Sequence, residues 1–191
     1  MHGFWFYAFY AVSILFNLLL LKSIINRIGR DADRKQKAAA WDMTDVENQK
    51  RFLGEVGVVR KKLMNNSEYA VFRNIEKIVP KGLRIMAQVS MGEFINTQWG
   101  SASEPVTKKA YSAFNSKRVD MLIINQYGDP IIAIEYQGTG HNKGNYKDRD
   151  LIKKMALEKA GIELVEVFPS DQPDQYKEKV RRLLNTRRRA A

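Results

Sequence analysis

Apolar residues crowd the first stretch of the chain and then return in short periodic blocks, and the two patterns predict different kinds of element. Residues 3–21 read GFWFYAFYAVSILFNLLLL, with no charged side chain and with Ser13 and Asn17 as the clearly polar positions. A helix of that length rises roughly 28 Å at about 1.5 Å per residue, close to the hydrocarbon thickness of a bilayer. Trp5, Tyr7 and Tyr10 gather toward its N-terminal end, where amphipathic rings favour the interface. Lys22, Arg27, Arg30, Arg34, Lys35 and Lys37 follow it. The positive-inside rule then sets the N-terminus outside and the C-terminal bulk in the cytoplasm, so residues 1–21 are expected to be one transmembrane helix. A cleavable signal peptide is the competing reading, but its positive charges belong before the apolar run rather than after it. A buried core helix is the third.

Residues 22–60 are mixed in charge and weakly periodic, which predicts a basic juxtamembrane tether, helical in part and broken by Gly54 and Gly57. Beyond it, Asn66 and Ser67 offer an N-cap to a helix in which Tyr69, Phe72, Ile75, Ile78 and Val79 recur at helical spacing, stopped by Pro80-Lys81-Gly82. A strand is expected over 83–90, then loop and short helix over 91–117. RVDMLIIN (118–125) and PIIAIEYQ (130–137) are β-branched runs joined by Gln126-Tyr127-Gly128-Asp129, the signature of a hairpin. Residues 147–161 form a helix closed by Gly161, IELVEVF is a further strand, and DQYKEKVRRLLNTRRR a basic terminal helix. This order predicts an α/β sandwich with a mixed central sheet over residues 61–170, followed by a basic C-terminal helix over 171–191.

Composition narrows the chemistry. With no Cys and two His, a disulfide framework, a thiol nucleophile, a cysteine-based metal site and a three-histidine site are all excluded. The formal net charge of +11, all of it outside residues 1–21, points to nucleic acid or to anionic lipid headgroups as partner. Neither GxxxxGK[ST] nor a well-placed GxGxxG is present, so a nucleotide-dependent kinase or ATPase is rejected.

On the expected hairpin, Asp120 stands near the start of one strand and Glu135 near the end of the next, so antiparallel pairing sets them opposite each other. Two such carboxylates suit a hard divalent cation, Mg²⁺ or Mn²⁺. The plainer reading, that both acids end strands at a solvated edge, is weakened by their apolar flanks, VDMLII and IIAIEYQ.

Glu68 on the first helix, Asp120, and Glu135-Tyr136-Gln137 together resemble the PD-(D/E)XK core of restriction-endonuclease-like proteins. EYQGTGH, RDLIK and Ala160-Gly161-Ile162 are similar to the bacterial domain-of-unknown-function family 2726, and the resemblance covers roughly residues 60–170. It implies a metal-dependent phosphodiesterase fold at the bacterial inner membrane. Asp120 and Glu135 would be the metal ligands, Glu68 the first-helix acid, and the metal would activate a water for in-line attack on phosphorus. Glu68 reads equally as a first-turn glutamate favoured by the helix dipole.

The chain departs from the pattern at Gln137, where the superfamily has a catalytic lysine. An amide orients a ligand but cannot supply positive charge, so Lys143 or Lys153 would have to supply it instead. His141, in the Gly-rich turn after the strand, is placed to contact phosphate or move a proton, or simply to bond backbone. Asp150 and Lys153 share a helix face and point to the site or form a surface ion pair.

Lys143, Arg149, Arg181, Arg182, Arg187, Arg188 and Arg189 are the expected nucleic-acid contacts, with Lys108, Lys109, Lys117 and Arg118 a second basic cluster; a lipid-facing or solvated tail is the alternative for the C-terminal arginines. The expected partner is nucleic acid, DNA first, with a homodimer required if both strands of a duplex are cut. The competing function is a catalytically silent nucleic-acid-binding or scaffold module at the membrane, serving DNA transfer or defence machinery.

Overall fold

The computed structural model describes the backbone of residues 2–98, 100–138 and 146–190, and the side chains of 16–98, 100–138 and 150–187. The chain divides into two compact units, residues 1–60 and 61–191.

The first unit is helical. Helix α1 runs unbroken over His2–Ala40 and α2 over Val46–Glu55, so the expected tether is mostly helix. Asp45 caps α2 by accepting from the Glu47 amide at 2.9 Å. Among the described residues no helix is long and apolar enough to cross a membrane. The described side chains begin at Phe16, and from there the apolar run meets Lys22 after less than two turns. Most of the expected 3–21 span lies outside the described side chains.

The second unit is a mixed α/β layer structure. Strands β1 (Arg84–Ser90), β2 (Arg118–Ile124), β3 (Pro130–Tyr136) and β4 (Glu163–Val167) make one sheet in the order β1-β2-β3-β4. The first three strands are antiparallel, and β4 joins β3 in parallel after the helical crossover that such pairing requires. The hairpin between β2 and β3 is set by Asn125, whose side-chain oxygen accepts from the Tyr127 and Asp129 amides at 2.9 and 2.8 Å. Gly128 supplies the positive φ (+92°) that the turn needs.

Helices α3 (Asn66–Glu76) and α6 (Pro173–Ala190) cover one face of the sheet. Val71, Ile75, Met121, Ile123, Ile134, Val165, Val180 and Leu184 are buried together there. Helices α4 (Glu104–Phe114) and α5 (Tyr146–Lys159) cover the other, closing Phe114, Leu122, Ala133, Leu157 and Ile162 into a second cluster. These central strands are buried on both sides, as their continuous β-branched runs predict. Helix α6, expected as a separate basic appendage, is instead part of the first core: Tyr176, Val180 and Leu184 recur every fourth residue as a buried stripe beneath the surface arginines.

Candidate functional site

The β2–β3 register builds the site. Met121 pairs with Ile134 and Leu122 with Ala133, so Asp120 and Glu135 are the next residues along, near enough for the Asp120 charge to act on Glu135. Asp120 Oδ2 accepts from the Tyr136 amide at 2.8 Å, which fixes its carboxylate across the ladder. Glu135 is the buried charged residue of the described structure, 7% exposed. Lys153, reaching in from α5, puts its Nζ 2.7 Å from Glu135 Oε1, and the same ammonium donates to the Arg118 carbonyl at 3.3 Å.

Burial pushes the Glu135 carboxyl up to about 7; Lys153 pulls it down, and the neighbouring charges of Asp120 and Asp150 raise it again. Lys153 therefore spends its charge on the buried Glu135 and not on Asp150 of its own helix, as a surface pair would require.

A break in the β pleat opens the space beside these groups. Gln88 has φ of +54°, a conformation that costs a non-glycine residue of order 1–3 kcal/mol and persists only where the surroundings impose it. Ala87 packs on the α3–α6 core while Val89, two positions on, packs on the α4–α5 core; Met121 and Val119 switch faces in the same way on β2. Regular alternation would keep each pair on one face. Gln88 and Asp120 sit where the switch occurs, and the Gln88 amide donates to Asp120 Oδ1 at 3.4 Å.

The resulting cavity, about 680 Å³, is lined by Glu68, Gln88, Asp120, Asp150 and Lys153 together with Lys61, Lys62, Lys117 and Arg118. Four expected acids or bases, Glu68, Asp120, Asp150 and Lys153, thus line one opening, with Glu135 in contact with Lys153. Glu68 also fulfils its plainer role. With Asn65 it forms a capping box, its two oxygens accepting from the Asn65 amide at 3.0 Å and the Asn65 side chain at 2.6 Å.

Gln137 is turned elsewhere. Its amide donates to Glu166 Oε1 on β4 at 2.9 Å, Glu166 is paired to Lys154, and Gln137 does not line the cavity. His141 and Lys143 lie outside the described residues, as do the side chains of Arg149, Arg188 and Arg189.

The described arginines of α6 are engaged away from the cavity. Arg182 pairs with Glu178 at 3.0 Å, Arg181 with the same carboxylate at 4.0 Å, and Arg187 donates to the Gly161 carbonyl. The cations at the opening are Lys61, Lys62, Lys117 and Arg118. Of these, Lys61 and Lys62 carried no sequence signal beyond a short charge run, and Gln88 carried none.

The family described as "Protein of unknown function (DUF2726)" matches residues 60–183, which span the whole site and nearly all of the second unit. The chain belongs to this family. Two relatives extend the likeness. An uncharacterized protein of Haemophilus influenzae is 36% identical over 172 residues, 84% of this chain and 86% of its own length. The uncharacterized protein y4bI of Sinorhizobium fredii is 37% identical over 117 residues, 57% of this chain and 79% of its own. No solved structure matches. The DUF2726 region begins where the helical N-terminal unit ends, so the family is a property of the α/β unit.

The carboxylates can be weighed as a cation site on their own chemistry. Among the described residues no group of three or more Asp, Glu, His or Cys side chains is gathered to hold a metal ion. Asp120 and Glu135 supply a two-carboxylate, all-oxygen set. That set fits Mg²⁺, which keeps several waters and is commonly held by one or two carboxylates plus substrate phosphate oxygens.

Proposed function

We propose that this chain is a membrane-anchored, metal-dependent nuclease of the PD-(D/E)XK type, in which Lys153 takes the part that Gln137 cannot. One observation carries the reading: an ammonium from α5 lies 2.7 Å from Glu135, which is near Asp120 on the hairpin, at a cavity rimmed by lysine and arginine. What supports the reading is this meeting of two carboxylates and an ammonium, the cation coming from a helix and not from the strand.

In this reading Asp120 and Glu135 hold Mg²⁺ or Mn²⁺, which when bound supplies an activated water and charge neutralisation at phosphorus. Lys61, Lys62, Lys117 and Arg118 bind the phosphodiester backbone. Lys153, held 2.7 Å from Glu135, would turn its positive charge toward the developing oxyanion. Gln137, held by Glu166, braces the end of β3 and does not touch substrate.

Membrane anchoring rests on the 3–21 sequence and on the described part of α1, where Phe16, Leu18, Leu19, Leu20, Leu21, Ile24, Ile25 and Ile28 are exposed. Apolar side chains so arranged on one helix call for lipid or a partner. The basic residues after them favour the cytoplasmic side of a bacterial inner membrane.

The test is cleavage of labelled single- and double-stranded DNA and RNA by the full chain in detergent, with Mg²⁺ or Mn²⁺. Cutting should fall about a hundredfold or more in Glu135→Gln, in Asp120→Asn and in Lys153→Met. Cutting that survives all three substitutions rules the assignment out. Tight binding without cutting favours the catalytically silent module, a reading supported by the commitment of both Glu68 oxygens to the helix cap.

A further inference from the structure

We propose that the groove beside the cation-rimmed cavity is a base-stacking subsite for single-stranded nucleic acid, with Tyr69 as its platform. The proposal rests on the nucleic-acid reading above and names the form of the substrate. The groove, about 400 Å³, is lined by Lys62, Leu63, Met64, Asn66, Tyr69, Phe72 and Ala87. Lys62, Leu63 and Met64 line the larger cavity as well, so the two spaces adjoin at this segment.

The two rings of the groove are arranged for a third. Phe72 is half-buried against the α3–α6 core, whereas Tyr69 is 52% exposed. Their centroids are 6.3 Å apart with planes 9° from parallel, so the packed ring sets the plane of the open one. A flat aromatic surface whose orientation is already fixed loses little further freedom when a planar ligand stacks on it.

Charge selects which planar ligand that is. Lys61, Lys62, Lys117 and Arg118 attract a polyanion, while Glu68, Asp120 and Asp150 in the same lining repel an isolated small anion from their midst. A chain with phosphates on one edge and uncharged planar groups on the other satisfies both demands at once. In a duplex the base faces are covered by their neighbours, so the base that lies on Tyr69 belongs to a single strand, a loop or a frayed end.

The experiment measures binding of the full chain, in detergent and with EDTA to prevent cutting, to fluorescent oligo-dT, to an abasic strand of equal length and to a hairpin duplex. Wild type should bind oligo-dT most tightly. Tyr69→Ala should weaken oligo-dT binding about tenfold, to the level of the abasic strand, whose own affinity stays unchanged. Tyr69→Trp should restore it, and the salt dependence should be the same in all three proteins, because the phosphate contacts are untouched.

Unchanged oligo-dT binding in Tyr69→Ala, or an equal loss for the abasic strand, overturns the subsite while leaving the phosphate-binding reading intact. No binding to any strand by wild type overturns both. A change of oligomeric state in Tyr69→Ala, seen by light scattering with binding unaltered, would make the groove a contact between copies and also overturn the proposal.

Discussion

Burying Glu135 in the sheet costs its charged form more than Lys153 returns, and so its pKa climbs from 4.5 to about 7. The direction fixes the pH dependence. A carboxyl whose folded pKa lies above its unfolded value contributes stability that is complete below about pH 4.5 and is lost as pH rises through about 7, because the unfolded chain releases the proton first. A shift of this size corresponds to roughly 3 kcal/mol. Glu135→Gln keeps the shape and cannot ionise. The stability of wild type relative to this variant, from urea denaturation, should therefore fall by about 3 kcal/mol between those two pH values and level off above them. A difference that does not vary with pH would mean that Glu135 carries its charge in the fold without penalty. Gln88 pays a conformational cost of its own at +54°, and the hydrogen bond it offers Asp120 is the visible return.

Among the elements, α3 combines a structural and a candidate catalytic residue in one turn. The capping box satisfies amide groups that the first turn cannot pair internally. Asn65→Ala should therefore cost about 1 kcal/mol, read as a fall of a few degrees in melting temperature. Glu68→Gln keeps an oxygen to accept from the Asn65 amide, removes the charge, and turns the other acceptor into a donor, so that the exposed bond from the Asn65 side chain is lost to solvent. It should melt within about 0.5 kcal/mol of wild type and cut at the wild-type rate, since both oxygens are already committed to the cap; a variant that melts normally and cuts ten times more slowly would return Glu68 to the catalytic set.

The elements legible in the sequence are those with local punctuation, such as the hairpin at Asn125–Asp129 and the close of α5 at Gly161. Helix α4 is the short helix expected within 91–117, and its bounds are not legible because only Phe114 of its residues is buried, leaving a weak period; Ser103 at its N-cap position and Pro105 in its first turn are the available marks. The nearness of Asp120 and Glu135 was legible because hairpin pairing is arithmetic. The switch of faces at Gln88 was not, since a positive φ at glutamine has no signature in residue type, and neither was the choice of Glu135 over Asp150 by Lys153, which depends on what is buried.

At the scale of the whole molecule, the two units separate at a stretch built to be cut. Residues 56–63 lie outside helix and strand, and Val56, Val58, Val59 and Leu63 are exposed around Arg60, Lys61 and Lys62. Exposed, irregular segments are where proteases act first. Both hydrophobic clusters draw all their residues from the second unit, so that unit holds its own core and should survive the cut. Brief trypsin treatment of membranes carrying the full chain is therefore expected to release a fragment beginning near Lys61, with a cooperative thermal transition; its nucleic-acid affinity should match the parent when the cut follows Arg60 and fall when it follows Lys62, which removes two of the cations at the cavity. The N-terminal piece should stay in the pellet through an alkaline carbonate wash. Loss of the uncut chain to that wash would end the anchoring proposal. A fragment that stays on the membrane after cleavage and leaves it only at high salt would show that the basic α/β unit itself adheres to anionic lipid, because such adhesion is screened within a Debye length while an inserted helix is indifferent to salt.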